Sequence, residues 1–239
     1  MMQMSFQYGT KTIIYDVTYS SRRRTMEISV EPPDLVHVVA PEGATEEAIL
    51  NKVRSRASWI VQRLFAMRDM AYIPIRREMV NGESLMYLGR NYSMQVMVEP
   101  GIERPRVGLI NGKFQVAVAT RDEAEIHKAL EDWYKQKALE KIRERVKLYQ
   151  SKFHVKPTQI RVKDQQKRWA SCTSKGELLF NWKSIMAPSP VLDYIVVHEM
   201  AHLLEYGHSQ KFWDIVAAVL PDYRSRKEWL KNNGIKMDL

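Results

Sequence analysis

The stretch His198-Glu199-Met200-Ala201-His202, followed by His208, is where this sequence places its chemistry. Histidines four residues apart lie one above the other on a helix, about one turn apart, so both imidazoles can reach one metal ion. A zinc ion held this way can carry a water. The glutamate after the first histidine stands where it can accept that water's proton. A catalytic zinc takes three protein ligands. His208 is the natural third, because Gly207 before it lets the chain turn back over the helix. Glu205 is its rival, but three residues past His202 it points off the ligand face. The pattern predicts one Zn2+ per chain on His198, His202 and His208, with Glu199 as catalytic base.

A rigid helix must hold the pair. Ser189-Pro190 predicts its start, with Ser189 as N-cap, Pro190 at the first helical position and Asp193 in the first turn. Val191, Leu192, Ile195, Val196 and Val197 bury its beginning, and Gly207 is its expected stop. Two short strands, at 159–162 and 177–182, are expected before it. Two helices are expected after it, at 209–220 (ended by Pro221) and 222–232. A long helix over 122–151 carries Ile126, Leu130, Trp133, Ala138, Ile142 and Val146 on one face.

The first half reads as strands: 11–19, then Met26, Ile28 and Val30 in alternation, then Val36, Val38 and Ala40. One helix over 45–68 follows, with Ile49, Val53, Ala57, Ile60 and Leu64 as its buried stripe. Asn111-Gly112 predicts a hairpin joining 106–110 to 113–119. Asn81-Gly82 suggests another, with 85–88 on its far side, and a further strand at 92–98 follows a turn at Gly89-Arg90. No internal repeat is visible. Strands give way to helices near residue 120, so the expected division is a strand-rich 1–120 and a metal-binding 121–239. With no long linker between them, the two parts are expected to pack together.

Length and composition frame this. A chain of 239 residues can bury a sizeable core, and 45% hydrophobic with 27% charged residues is ordinary for a globular protein. No apolar run reaches the length of a membrane helix, and the N-terminus lacks the layout of a signal peptide. Cys172 is the single cysteine, which suits a reducing cytoplasm. The formal charge of +9 and pI near 9.5 favour acidic partners such as nucleic acid or nucleotides, or simply keep the protein in solution. No membrane partner is expected, and nothing in the sequence sets the oligomeric state.

From Arg168 onward the chain resembles a known family. Arg168-Trp169-Ala170-Ser171-Cys172, Leu179-Phe180-Asn181-Trp182, Val196 to His202, His208-Ser209 and Phe212-Trp213 are similar to the motifs of the YgjP-like (DUF45) metal-dependent hydrolases. These are grouped with zincin-type metallopeptidases and related to the SprT and WLM proteins. The resemblance implies a zincin-like C-terminal half, zinc on His198, His202 and His208, and a catalytic Glu199. It leaves the substrate open between polypeptide and nucleoside triphosphate. Ala170 stands where the family more usually has glycine. No glycine occupies position 205 and no Met-turn is evident, so the chain does not read as a metzincin.

Other residues have two readings each. Arg168 could stabilise an oxyanion or grip a phosphate, although packing on Trp169 is the plainer role. Tyr206, taken as one turn past His202, could donate to a tetrahedral intermediate, and Tyr194 lies one turn before His198; both more commonly pack. Asn181 could orient a ligand or cap a turn. Cys172 reads as a small buried hydrophobe, and Trp133, Trp213 and Trp229 read as core. Arg22, Arg23 and Arg24 form a turn that could contact phosphates or be merely solvated. The fold class predicted is α+β: a strand-rich N-terminal region with one helix, then a zincin-like helical unit with a small sheet. The leading function is a zinc metallohydrolase of metallopeptidase type. The alternatives are a metal-dependent nucleoside triphosphate (UTP-type) pyrophosphatase and a basic nucleic-acid-binding protein with a structural metal.

Overall fold

The computed structural model describes residues 2–31, 35–69, 77–165 and 168–239. It is an α+β protein in two compact units, Met1–Ile75 and Arg76–Leu239. The division therefore falls well before the boundary expected near residue 120. The reason is packing: the strands between 84 and 118 share one hydrophobic core with the long helix and the histidine-bearing helix that follow.

In the first unit, β1 (Met2–Tyr8), β2 (Lys11–Ser20), β3 (Glu27–Glu31) and β4 (Leu35–Pro41) form a sheet in the order β1-β2-β4-β3. The central pair, β2 and β4, is parallel and the outer pairs are antiparallel. Ile13, Tyr15 and Val17 face Val36, Val38 and Ala40 across one buried surface. Strand β1 has no counterpart among the expected strands, because Phe6 is its only buried side chain and alternation is missing. Pairing with β2, not its own pattern, makes it a strand. The single helix expected over 45–68 is two, α1 (Glu46–Ser55) and α2 (Ala57–Asp69). Arg56 leaves helical geometry between them. Ile49, Val53, Ala57 and Ile60 cover the sheet across the break.

The second unit opens with β5 (Ser84–Tyr87), β6 (Arg90–Val98), β7 (Arg106–Ile110) and β8 (Lys113–Val118), followed by α3 (Glu123–Phe153). The sheet order is β5-β6-β8-β7, with a parallel central pair and antiparallel outer pairs. The Asn111-Gly112 hairpin forms as expected, with both residues at positive φ. The β5–β6 hairpin turns at Leu88-Gly89, both at positive φ, one residue ahead of the turn expected at Gly89-Arg90. Asn81 lies ahead of the strand, where its side-chain oxygen accepts from Val96 N at 2.6 Å.

This arrangement repeats that of the first unit. Each has two hairpins side by side, a parallel centre and then a capped helix. In β4, Val36, Val38 and Ala40 are buried, Thr45 caps, and Ile49 and Val53 bury. In β8, Phe114, Val116 and Val118 are buried, Asp122 caps, and Ile126 and Leu130 bury. The sequence hides the repeat because only burial positions recur, while the side chains differ and the helices differ in length.

Helix α3 is long because nothing interrupts it. It lacks Gly and Pro, and Ile126, Leu130, Tyr134, Ala138, Ile142 and Val146 recur every four residues. Tyr134, not the expected Trp133, is the fully buried member, and its hydroxyl donates to the Met86 carbonyl at 2.9 Å. A left-handed His154 ends the helix. A third sheet follows, ordered β10-β11-β9 and built from β9 (Gln159–Lys163), β10 (Ala170–Cys172) and β11 (Glu177–Asn181). After a 3-10 turn at Trp182–Met186 come α4 (Ser189–Ala201), α5 (Gln210–Val219) and α6 (Tyr223–Asn233). Among the described residues, no helix is long and apolar enough to cross a membrane.

Candidate metal centre

Helix α4 is buried on nearly every face, with Val191, Leu192, Ile195, Val196, Val197, Met200 and Ala201 all inside the core. A helix apolar all round belongs at the centre of a fold, where neighbours on every side hold it still. Here α3, α5, α6 and β10 pack around it. Its start differs from the expected cap. Ser189 is already helical, Pro188 is the cap residue, and the Pro188 carbonyl accepts from Val191 N and Leu192 N. Asp193 does more than face the helix N-terminus. It is buried and accepts a two-pronged bond from Arg145 of α3, plus the Tyr149 hydroxyl at 3.0 Å. That ion pair pins α4 to α3, and sequence reasoning missed it because Arg145 lies 48 positions away.

The helix ends at Ala201, not at Gly207, and His202 is its C-cap. Tyr206 therefore does not continue the helix face of His202. It is 61% exposed, and its hydroxyl donates to the Thr173 carbonyl at 2.9 Å, tying the loop to the turn between β10 and β11. The early end is what brings the third histidine back. The loop returns along the helix, and Ser209 caps α5 by accepting from Phe212 N at 3.3 Å. His208, directly before that cap, is thereby placed beside α4.

The ligand nitrogens of His198, His202 and His208 all lie within 4.8 Å of one another. His208 Nε2 and His198 Nε2 are 3.0 Å apart. His202 Nδ1 lies 3.1 Å from the Glu205 carbonyl, to which it can donate, leaving Nε2 free for a metal. Glu205 contributes its backbone; its carboxylate lies 3.8 Å from Lys211. Ligand atoms of a tetrahedral zinc are separated by about 3.3 Å, so three convergent imidazoles fit such an ion.

Aromatic rings line one side of the cluster, with His208 left exposed. Phe212 is fully buried and stacks on His202 at 4.5 Å between ring centres. Trp213 stacks on His208 at 5.7 Å, and Tyr194 lies 5.7 Å from His198. Trp213 is thus not simple core; only the Phe212-Trp213 motif quoted above hinted at this place. Burial, then the neighbouring His202 and His208, drop the His198 imidazole to about pKa 3. Burial also lowers His208. A neutral imidazole is the form that binds metal.

Glu199 is 5% exposed, and burial raises its carboxyl to about pKa 8, with Arg168 acting in the opposite direction. Arg168 is exposed, and its charge favours the ionised Glu199. The loop that carries it is held by Asn181. This buried side chain donates to the Gln165 carbonyl at 2.7 Å and the Arg168 carbonyl at 3.5 Å, and accepts from Lys183 N at 3.0 Å. Asn181 is therefore a turn cap that also anchors the loop, and its bonds go to backbone. Cys172, on β10, is half-buried, and burial followed by Glu199 pushes its thiol up to about pKa 11, far from a nucleophile. Arg22, Arg23 and Arg24 lie in the first unit on the exposed connection between β2 and β3, with Arg23 paired to Glu27. Residues 1–75 carry nine Lys and Arg against eight Asp and Glu, so nearly all the excess positive charge belongs to the second unit.

An α+β unit whose central helix gathers three histidines beside a buried glutamate is that of a metallohydrolase. The chain belongs to the YgjP-like family: the model described as YgjP-like, metallopeptidase domain, matches residues 24–233. No curated protein matches. Among solved structures the chain is similar to the metallopeptidase zymogen abylysin of Pyrococcus abyssi, at 18% identity. That similarity covers 36% of this chain and 89% of that one, with a TM-score of 0.34.

Proposed function

We propose that this protein is a zinc-dependent peptidase in which His198, His202 and His208 hold one Zn2+ and Glu199 is the general base. The observation that carries this reading is the convergence of three imidazoles beside a buried carboxylate, inside a metallopeptidase-family domain. Bound zinc supplies Lewis acidity, which polarises a substrate carbonyl and makes water acidic enough to lose a proton near neutral pH. Glu199 accepts that proton at a carboxylate oxygen and later delivers it to the amine nitrogen as the C–N bond breaks. Arg168 biases Glu199 toward the ionised form needed for the first transfer. Phe212 and Trp213 stack on the His202 and His208 rings and restrain their orientation.

Strand β10 favours polypeptide over nucleotide. It is an edge of its sheet and packs against α4. Its outer backbone groups can pair with an extended peptide laid beside the histidines.

The test offers unfolded polypeptide and nucleoside triphosphates in parallel to zinc-loaded protein, wild type beside Glu199→Ala. Peptide fragments should appear with wild type and be lost in the variant, by about 100-fold or more, while zinc content stays at one per chain. Loss of zinc in the variant would remove Glu199 from the role given to it. Pyrophosphate release that depends on Glu199, without peptide cleavage, would replace the peptidase by a nucleotide hydrolase. Four protein ligands around the ion would make the metal structural and leave the nucleic-acid-binding reading.

A further inference from the structure

Beside the histidine cluster lies a second feature that metal binding does not explain. A cavity of about 430 Å³ is lined by Gln210, Trp213, Tyr223, Arg224, Lys227 and Glu228. Trp213 is its shared wall: the ring stacks on His208, lies 5.8 Å from His198, and stacks on Tyr223 at 5.3 Å. The Lys227 ammonium sits 4.3 Å from the centre of that ring. Lys227 is close enough for its charge to lower both His198 and His208.

Lys227, Arg224, Gln210 and Glu228 are exposed, so the cavity is open to solvent and to an extended substrate. Among the described residues no carboxylate forms an ion pair with Lys227. The nearby Glu228 is engaged by Lys231 and Asn232. Arg224, the other cation of the cavity, is bonded to the Tyr223 hydroxyl. The cavity thus presents an exposed ammonium resting on an aromatic ring that also stacks on His208, beside the histidine cluster. An anionic group bound there would meet the ammonium in a charge-assisted hydrogen bond.

We propose that Lys227, seated on Trp213 in this cavity, binds a carboxylate of the polypeptide substrate and so sets which residue lies next to the scissile bond. The carboxylate has two sources, an acidic side chain or the C-terminus of the peptide. This inference rests on the peptidase reading for its substrate class, but its test does not require turnover.

Calorimetric titration of the zinc-loaded full chain would use three capped dipeptides: one with a Glu side chain and an amidated end, one with Ala and a free C-terminal carboxylate, and one with Ala and an amidated end. At least one carboxylate probe should bind about tenfold or more tightly than the neutral probe, the scale of one charge-assisted hydrogen bond. Whichever probe wins identifies the source. Lys227→Met should erase the preference, Lys227→Arg should keep most of it, and Lys231→Met should leave it unchanged. Circular dichroism confirms that each variant folds.

Equal binding of all three probes overturns the proposal, as does a preference that survives Lys227→Met. Lys227-dependent binding of inorganic pyrophosphate without carboxylate binding also overturns it and assigns the cavity to phosphates. Lys227-dependent carboxylate binding in a protein that cleaves no peptide would leave this inference standing and bring down the peptidase reading instead.

Discussion

At the scale of single residues, Glu199 carries the sharpest consequence. In the metal-free fold its carboxyl is raised by burial from 4.5 to about 8. Between those values the unfolded chain has released this proton and the folded chain has kept it, so the folded state loses stability as pH rises. Glu199→Gln removes that cost. Its advantage over wild type in chelator-treated protein should therefore grow with pH, by about 1.4 kcal/mol per unit at most between about pH 5 and 8. Denaturant unfolding across that range measures it, and a flat difference would mean that Glu199 is already ionised in the fold. His198 works in the opposite sense and at lower pH. Its ring falls from 6.5 to about 3, so the metal-free fold resists protonation there while the unfolded chain accepts it. Titration of the ring by NMR should show His198 still neutral at pH 5.

At the scale of elements, two contacts decide where α4 sits. Asp193 accepts from both Arg145 and Tyr149 of α3. Removing one partner of such a buried pair strands the other charge, so Asp193→Ala should destabilise the protein by about 2–4 kcal/mol in denaturant unfolding. Zinc affinity should fall with it, because α4 loses its tie to α3. The second contact is the Leu88-Gly89 turn. Leu88 N and Gly89 N donate to the carbonyls of Ile185 and Met186, just ahead of α4. Gly89 has φ +78°, and a Cβ there would lie 2.7 Å from Pro188, the residue that caps α4. Gly89→Ala combines a left-handed backbone with a clash against a rigid ring. It should cost about 1–3 kcal/mol, read as a lowered melting temperature; an unchanged one would show that the turn can move away.

At the scale of the whole molecule, every element that builds the site belongs to the second unit. Its core, among the described residues, runs from Met79 to Met237. A chain starting at Arg76 should therefore bind one zinc with the stoichiometry of the full protein, measured by metal analysis after gel filtration. Failure to fold would mean that the first unit contributes to stability despite its separate core. The repeated arrangement of β1–β4 and β5–β8 gives this division a structural basis. Each sheet closes its own core with the helix that follows it, and only the second continues into α4, α5 and α6.

The histidine spacing was legible in the amino-acid sequence because it is local. Four residues make one helical turn whatever surrounds them, so His198, Glu199 and His202 announced their geometry directly. The Asn111-Gly112 hairpin, the extent of α3 and the last two helices were legible for the same reason, since each rests on neighbours along the chain. Tertiary structure alone decided the rest. It ended α4 at Ala201, because the loop to His208 is held by Thr173 and by the cap of α5. It turned Asn181 into an anchor and Asp193 into an ion pair, and it drew Trp213 and Lys227 up to the histidines from two other helices. The longest of those contacts, Tyr206 to Thr173 and Asp193 to Arg145, join residues 33 and 48 positions apart. Only burial and packing choose such partners, and no periodicity in a single sequence records that choice.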